Sequence, residues 1–247
     1  MTGSFARTSN AGRNYDRGAT VASEVSALTL SFEVTGVVEG QLIPGEFAFC
    51  VPAAQGHVAM APNRNPRVAW RDAPAGTKSF ALLCIDADAP TDPTDVNKEG
   101  ATVPAGMPRG DFSHWVLVDI PGSATSVGEG ADSDGVTPRG KPVGPTAHGV
   151  RGRNDYTSWF AGDADMEGTY GGYDGPCPPW NDELVHHYRF TVYALDVATL
   201  GLGGAFAAAD TIAAMAGHVL ESAFVTGVYT LNPALGARPE PGARRAP

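Results

Sequence analysis

The stretch Ser79-Phe80-Ala81-Leu82-Leu83-Cys84-Ile85-Asp86-Ala87-Asp88-Ala89-Pro90 decides the fold. Its middle, Phe80 to Ile85, is apolar without alternation, as in a strand covered on both faces. Working outward, residues 114–120 and 186–196 read the same way, rich in Trp, Val, Tyr and Phe. Over 28–34, Leu28, Leu30, Phe32 and Val34 alternate with Thr29, Ser31 and Glu33, the period of a half-buried strand. One segment departs from this pattern. From Ile212, apolar residues at Met215, Ala216, Val219, Leu220 and Ala223 predict a helix over about 210–223, with Asp210 as its N-cap. Gly227 then lets the chain turn into a short strand over 228–231. The expectation is a mainly β protein with a helix near its end.

Composition agrees. Glycine (31) and proline (20) make up about a fifth of the 247 residues, well above the usual share, while charged residues are only 18%. This excludes a coiled coil or helix bundle and leaves a turn-rich globular chain. No repeat or composition shift marks a boundary, so 25–235 reads as one domain between polar tails at 1–24 and 236–247. Two stretches, 91–112 and 121–172, resist regular structure, and loops of that length are usually functional. Tyr156, Trp159, Phe160 and Tyr170 predict that the second packs down on the domain.

The net charge of −10 leaves no basic face to grip a phosphate backbone, so nucleic acid is not an expected partner. The N-terminus shows no apolar signal region, and no run approaches 18 apolar residues. A soluble, cytoplasmic protein without stable membrane insertion is expected. Cys50, Cys84 and Cys177 are odd in number, widely separated and without a CxxC pair. They read as core and packing residues, with neither a disulfide framework nor a zinc site expected.

Polar residues concentrate at the ends of the apolar strands. Asp86 and Asp88 point the same way if their strand continues. His114-Trp115 opens the next strand. Gly175-Pro176-Cys177-Pro178-Pro179 is a stiff loop in which only Gly175 and Cys177 keep an N–H donor. It leads to His186-His187-Tyr188, where His186 and Tyr188 share a face. A loop whose shape is set before the ligand arrives makes a good pocket rim. Each segment alone has an ordinary reading, as a strand exit, an edge histidine or a turn.

Together and in this order they resemble the phosphatidylethanolamine-binding protein (PEBP) family, in its bacterial Raf kinase inhibitor-like (YbhB/YbcL-type) branch. Asn65-Pro66 with Trp70, residues 74–79, Gly217-His218-Val219-Leu220 and Gly227-Val228-Tyr229 extend the resemblance over about 28–232. It implies a large central antiparallel sheet beside a smaller one, with peripheral helices. It also implies a pocket for a phosphate, phospholipid headgroup or similar anion, lined by Asp86, Asp88, His114, Gly175, Pro176, Pro178, His186 and Tyr188. Ala87 stands where the family has proline, and the insertion 91–112 delays His114.

The residue chemistry points the same way. A carboxylate beside an imidazole raises its pKa and favours a cation that can face an anion. Asp88 has an alternative role, orienting a neighbouring histidine. His187 reads as structural, Trp70 and Trp115 as core, and His57, His148 and His218 have no evident partner. The expected function is non-catalytic binding of a small phosphorylated or anionic ligand, with no cofactor or metal. Inhibition of a kinase or protease by contact is a second reading. A hydrolase built on the Asp/His cluster is a third, weakened by the lack of GxSxG and HExxH motifs. A homodimer is expected by analogy, and no protein target can be named.

Overall fold

The computed structural model describes residues 29–53 and 55–236. Leu28 and the two expected tails, apart from Gly236, lie outside them. In chain order the elements are β1 (Ser31–Val34), β2 (Cys50–Pro52), β3 (Val58–Met60), β4 (Val68–Arg71), β5 (Ser79–Pro90) and β6 (Arg109–Pro121). They continue with β7 (Ser126–Val127), β8 (Gly144–Pro145), β9 (Val150–Arg151), the single turn α1 (Tyr156–Trp159), β10 (His186–Leu195), α2 (Ala208–Met215) and β11 (Val219–Tyr229). All strand pairs are antiparallel. The large sheet runs β11-β10-β5-β6-β9-β8, a smaller one β1-β4-β7, and β2-β3 form a ribbon.

β5 lies inside the large sheet, between β10 and β6, and its side chains are sorted by period 2. Phe80, Leu82 and Cys84 enter a core shared with Trp115, Leu117, Phe190 and the small sheet, where Trp70 is buried. Ala81 and Leu83 face the other way, against Val116, Val118, Phe206 and Met215. Both faces are covered, which is why the run carries no polar residue between Phe80 and Ile85. Tyr156 and Tyr170 are buried in this same core, so the long second loop does pack down.

Three expectations need correction. The helix stops at Met215 rather than near 223. Gly217 takes a φ of +82°, which reverses the chain, and residues 219–223 pair with β10 instead. A stripe at helical spacing lost to cross-strand pairing along the whole of β10, and the expected short strand at 228–231 is partly the end of β11. Asp210 is not the N-cap. It lies one turn inside, where its Oδ2 accepts the N–H of Ala207 at 2.8 Å. Finally, Cys50 and Cys177 form a disulfide, with Cα atoms 4.9 Å apart across 127 positions of sequence. Cys84 alone remains a buried thiol among the described residues.

Candidate functional site

Two irregularities in the large sheet aim the site. Cys84 pairs with Trp115 but Ile85 with Ser113, so His114 is the extra residue of a bulge. A bulge turns successive side chains to one face, and here His114 and Trp115 both enter the same core face. Farther along, Asp86 pairs with Phe112 and Ala89 with Gly110, leaving an extra residue on β5. Asp86 Oδ1 accepts the N–H of Asp88 at 2.8 Å within this irregularity. Asp88 is thereby turned away from Asp86. Its Oδ2 accepts the N–H and Nδ1–H of His187, both at 2.8 Å. Asp88 does orient a histidine, but His187 rather than His186, and outside the pocket.

A chain of charges starts at the pocket wall with Asp86 and His186 and runs behind it to Asp182 and Arg109. His186, 1% exposed, donates from Nδ1 to Asp86 Oδ2 at 2.7 Å and from Nε2 to Asp182 Oδ2 at 3.2 Å. Arg109 grips both oxygens of Asp182, at 2.6 and 3.0 Å. Burial works to lower the His186 pKa. The hydrogen bonds and charges of Asp182 and Asp86 outweigh it and raise the pKa to about 9. Asp182 is desolvated too, yet His186 and Arg109 hold its carboxyl below the usual range. Neither Asp182 nor Arg109 stood out in the sequence: Asp182 meets His186 only four positions away, but nothing in the local pattern marks that contact, and Arg109 joins through a pairing that spans 73 positions.

His114 behaves oppositely. It is buried, and desolvation lowers its pKa despite the nearby charge of Asp86 and the Asp174 carbonyl. Its Nδ1 lies 2.8 Å from that carbonyl, which can only accept, so the neutral ring carries its proton on Nδ1 and a lone pair on Nε2. The expected histidine cation is therefore His186, already committed to two carboxylates. His114 is neutral until something draws a proton to it.

The stiff loop is anchored from below. Gly175 donates to Asn63 Oδ1 at 2.8 Å, and its carbonyl accepts the Tyr156 hydroxyl at 2.8 Å. A Cβ on Gly175 would collide with the Phe47 carbonyl. The Pro176 carbonyl accepts the N–H groups of Phe49 and Cys50 at 2.9 and 3.2 Å. With the disulfide, these bonds strap the loop to β2. Gly175 and Pro176 thus support the pocket from behind its wall, whereas Pro178 lies on it.

A pocket brings together Asp86, His114, Pro178, His186 and Tyr188, five of the eight expected residues. Phe49, Phe112, Tyr156, Trp159, Phe160 and the disulfide form much of its remaining wall. Of these aromatics, Tyr156, Trp159 and Phe160 read in the sequence only as packing residues, and Phe49 and Phe112 did not stand out. Asn97 lines the mouth, so the 91–112 insertion does reach the pocket. Tyr188 lines it too, and its hydroxyl is buried and has no hydrogen-bond partner among the described residues. The three unassigned histidines each have a carboxylate partner: His57 with Glu99, His148 with Asp132 and His218 with Asp196. They lie outside the pocket lining.

A family model described as phosphatidylethanolamine-binding protein matches residues 34–230. A UPF0098 protein of Methanothermobacter thermautotrophicus is 34% identical over 167 residues, covering 68% of this chain and 83% of its own. The UPF0098 protein YbhB of Escherichia coli is 30% identical over 168 residues, covering 68% and 82%. Among solved structures, E. coli YbcL, described as a new member of the mammalian PEBP family, aligns with a TM-score of 0.58 at 25% identity. That alignment covers 81% of this chain and 98% of YbcL.

Proposed function

The chain belongs to the phosphatidylethanolamine-binding protein family, and from that premise we propose that it binds a small phosphorylated or anionic ligand without transforming it. One observation carries the reading: the buried, unpartnered hydroxyl of Tyr188 on the pocket wall. A buried donor left unpaired costs about 1–3 kcal/mol, which a ligand oxygen accepting from it restores. Beside it, Nε2 of His114 can take up a proton and become a second, charged donor. An anion arriving next to His114 raises its depressed pKa, so ligand and proton bind together. His186 keeps the floor electrically balanced, and both its ring nitrogens are engaged, which supports a binding rather than a proton-transferring role.

Calorimetric titration with phosphoethanolamine tests this. Binding accompanied by proton uptake is expected, and affinity should fall as pH rises from the depressed pKa of free His114 towards its higher pKa in the complex, and level off above that. Tyr188→Phe and His114→Ala should each weaken binding about tenfold or more, the cost of a buried hydrogen bond to a charged group. No heat with the wild-type chain, or unchanged affinity in both variants, would sink the proposal.

The disulfide bears on the working compartment as well. A disulfide persists where thiols are not kept reduced. Cys50–Cys177 therefore supports an oxidising compartment in place of the expected cytoplasm. No helix among the described residues is long and apolar enough to cross a membrane.

A further inference from the structure

Behind the pocket loop lies a second buried ion pair that the ligand site does not use. Asp174, fully buried, is the residue just before Gly175. Its Oδ1 accepts Lys141 Nζ at 2.6 Å and Asn63 Nδ2 at 2.7 Å, and its Oδ2 accepts Asn154 Nδ2 at 2.9 Å. Lys141 is the one cation that touches it among the described residues, and it does not line the pocket. The lysine side chain is itself only 11% exposed, and its backbone carbonyl accepts the N–H of Gly171 at 2.8 Å. Water therefore screens the pair poorly, and the field of the carboxylate depends on the ammonium beside it.

The main chain of the same aspartate holds His114 twice. The N–H of Asp174 donates to the His114 carbonyl at 2.9 Å, and the Asp174 carbonyl accepts Nδ1–H of the ring at 2.8 Å. Asp86 from β5 and Asp155 from the segment before α1 also act on this imidazole. Phe112 of β6, Tyr156 of α1 and Tyr188 of β10 pack around it. The three charged groups are all anions, and each favours the imidazolium. Asp86 is balanced by His186 and Asp174 by Lys141, so burial prevails and the ring stays neutral.

Resting on the reading that an anion and a proton enter this site together, we propose that Lys141 is a positioning residue: without reaching the pocket, it sets the pH at which His114 accepts its proton. It acts through Asp174. With the ammonium removed, the buried carboxylate is unbalanced, and His114 can compensate it by taking a proton. The site is then charged before any ligand arrives, and the coupling of ligand to proton is lost.

The test is a ring-proton NMR titration of the full, disulfide-bonded chain without ligand, His114 being assigned from the His114→Gln variant. Lys141→Met keeps the aliphatic stem and should raise the His114 midpoint by about one pH unit, the effect of an unbalanced neighbouring charge. Asp174→Asn leaves the ammonium unbalanced instead and should lower it. Lys141→Arg should keep the wild-type midpoint. His186, balanced by Asp86 and Asp182, should hold its own titration in all three, which separates a charge effect from a general loosening of the pocket. In calorimetry with phosphoethanolamine, proton uptake near neutral pH should shrink in Lys141→Met. An unmoved His114 midpoint in whichever of Lys141→Met and Asp174→Asn folds, or an equal movement of His186, overturns the assignment. If the midpoints move as stated but phosphoethanolamine gives no heat, the anion-binding reading falls and the control of His114 by Lys141 stands.

Discussion

At the scale of single residues, the two pocket histidines are driven apart by what touches them. His186 is held charged by two carboxylates, with a pKa of about 9, and His114 is held neutral by burial. Their linkage to folding has opposite signs. The stabilisation from His186 is complete below the unfolded value near 6.5 and is lost as pH rises through about 9. Its loss is of the order of 3 kcal/mol. His114 must gain a proton on unfolding in acid, so stability is lost as pH falls below about 6.5 towards its lower folded pKa. Denaturant midpoints measured from pH 5 to 9.5 should peak near neutrality. His186→Gln should flatten the alkaline limb and His114→Gln the acid limb. A wild-type midpoint that stays level from pH 7 to 9.5 contradicts the charged state of His186.

At the scale of elements, the site depends on irregularities in otherwise regular strands. The bulge in β6 brings His114 and Trp115 to one face, and the irregularity in β5 separates Asp88 from Asp86. The loop after Tyr173 is held by contacts too close for any side chain at Gly175. Gly175→Ala should therefore cost about 3 kcal/mol or more, in the range of severe overpacking and lost hydrogen bonds. It should weaken ligand binding as well, since Pro178 shifts with the loop. A thermal midpoint within a degree of wild type would show that the loop is not pinned there. The core of β5 was legible as an apolar run, because burial on both faces excludes polar residues, and those of β6 and β10 as segments rich in Trp, Val, Tyr and Phe. The bulges were not, because pairing register belongs to two strands at once. The same limit explains α2, where the stripe past Met215 satisfied a helix and an edge strand equally and β10 decided between them.

At the scale of the whole molecule, the disulfide joins β2 to the pocket loop across 127 positions. Closing a loop of that size in the unfolded chain stabilises the fold by about 4–5 kcal/mol on the chain-entropy account. Reduction, or Cys50→Ser with Cys177→Ser, should lower the thermal midpoint by several degrees and loosen the pocket wall. Protein taken from its native cells and alkylated without reductant should label Cys84 alone, and only after unfolding. Labelling of Cys50 and Cys177 under those conditions would place the chain in a reducing compartment.

By itself, the sequence determined the apolar strands at the centre of the large sheet and the ordered motifs that led to Asp86, His114, His186 and Tyr188. Those signals are local, carried by periodicity and by residues close together in the chain. Only the tertiary structure decided that Arg109 reaches Asp182 behind the pocket, that Asp88 serves His187, that Cys50 meets Cys177 and that the wall is aromatic. Each of these depends on which distant segments come into contact, and a pairing energy between residues far apart leaves no mark on either residue alone.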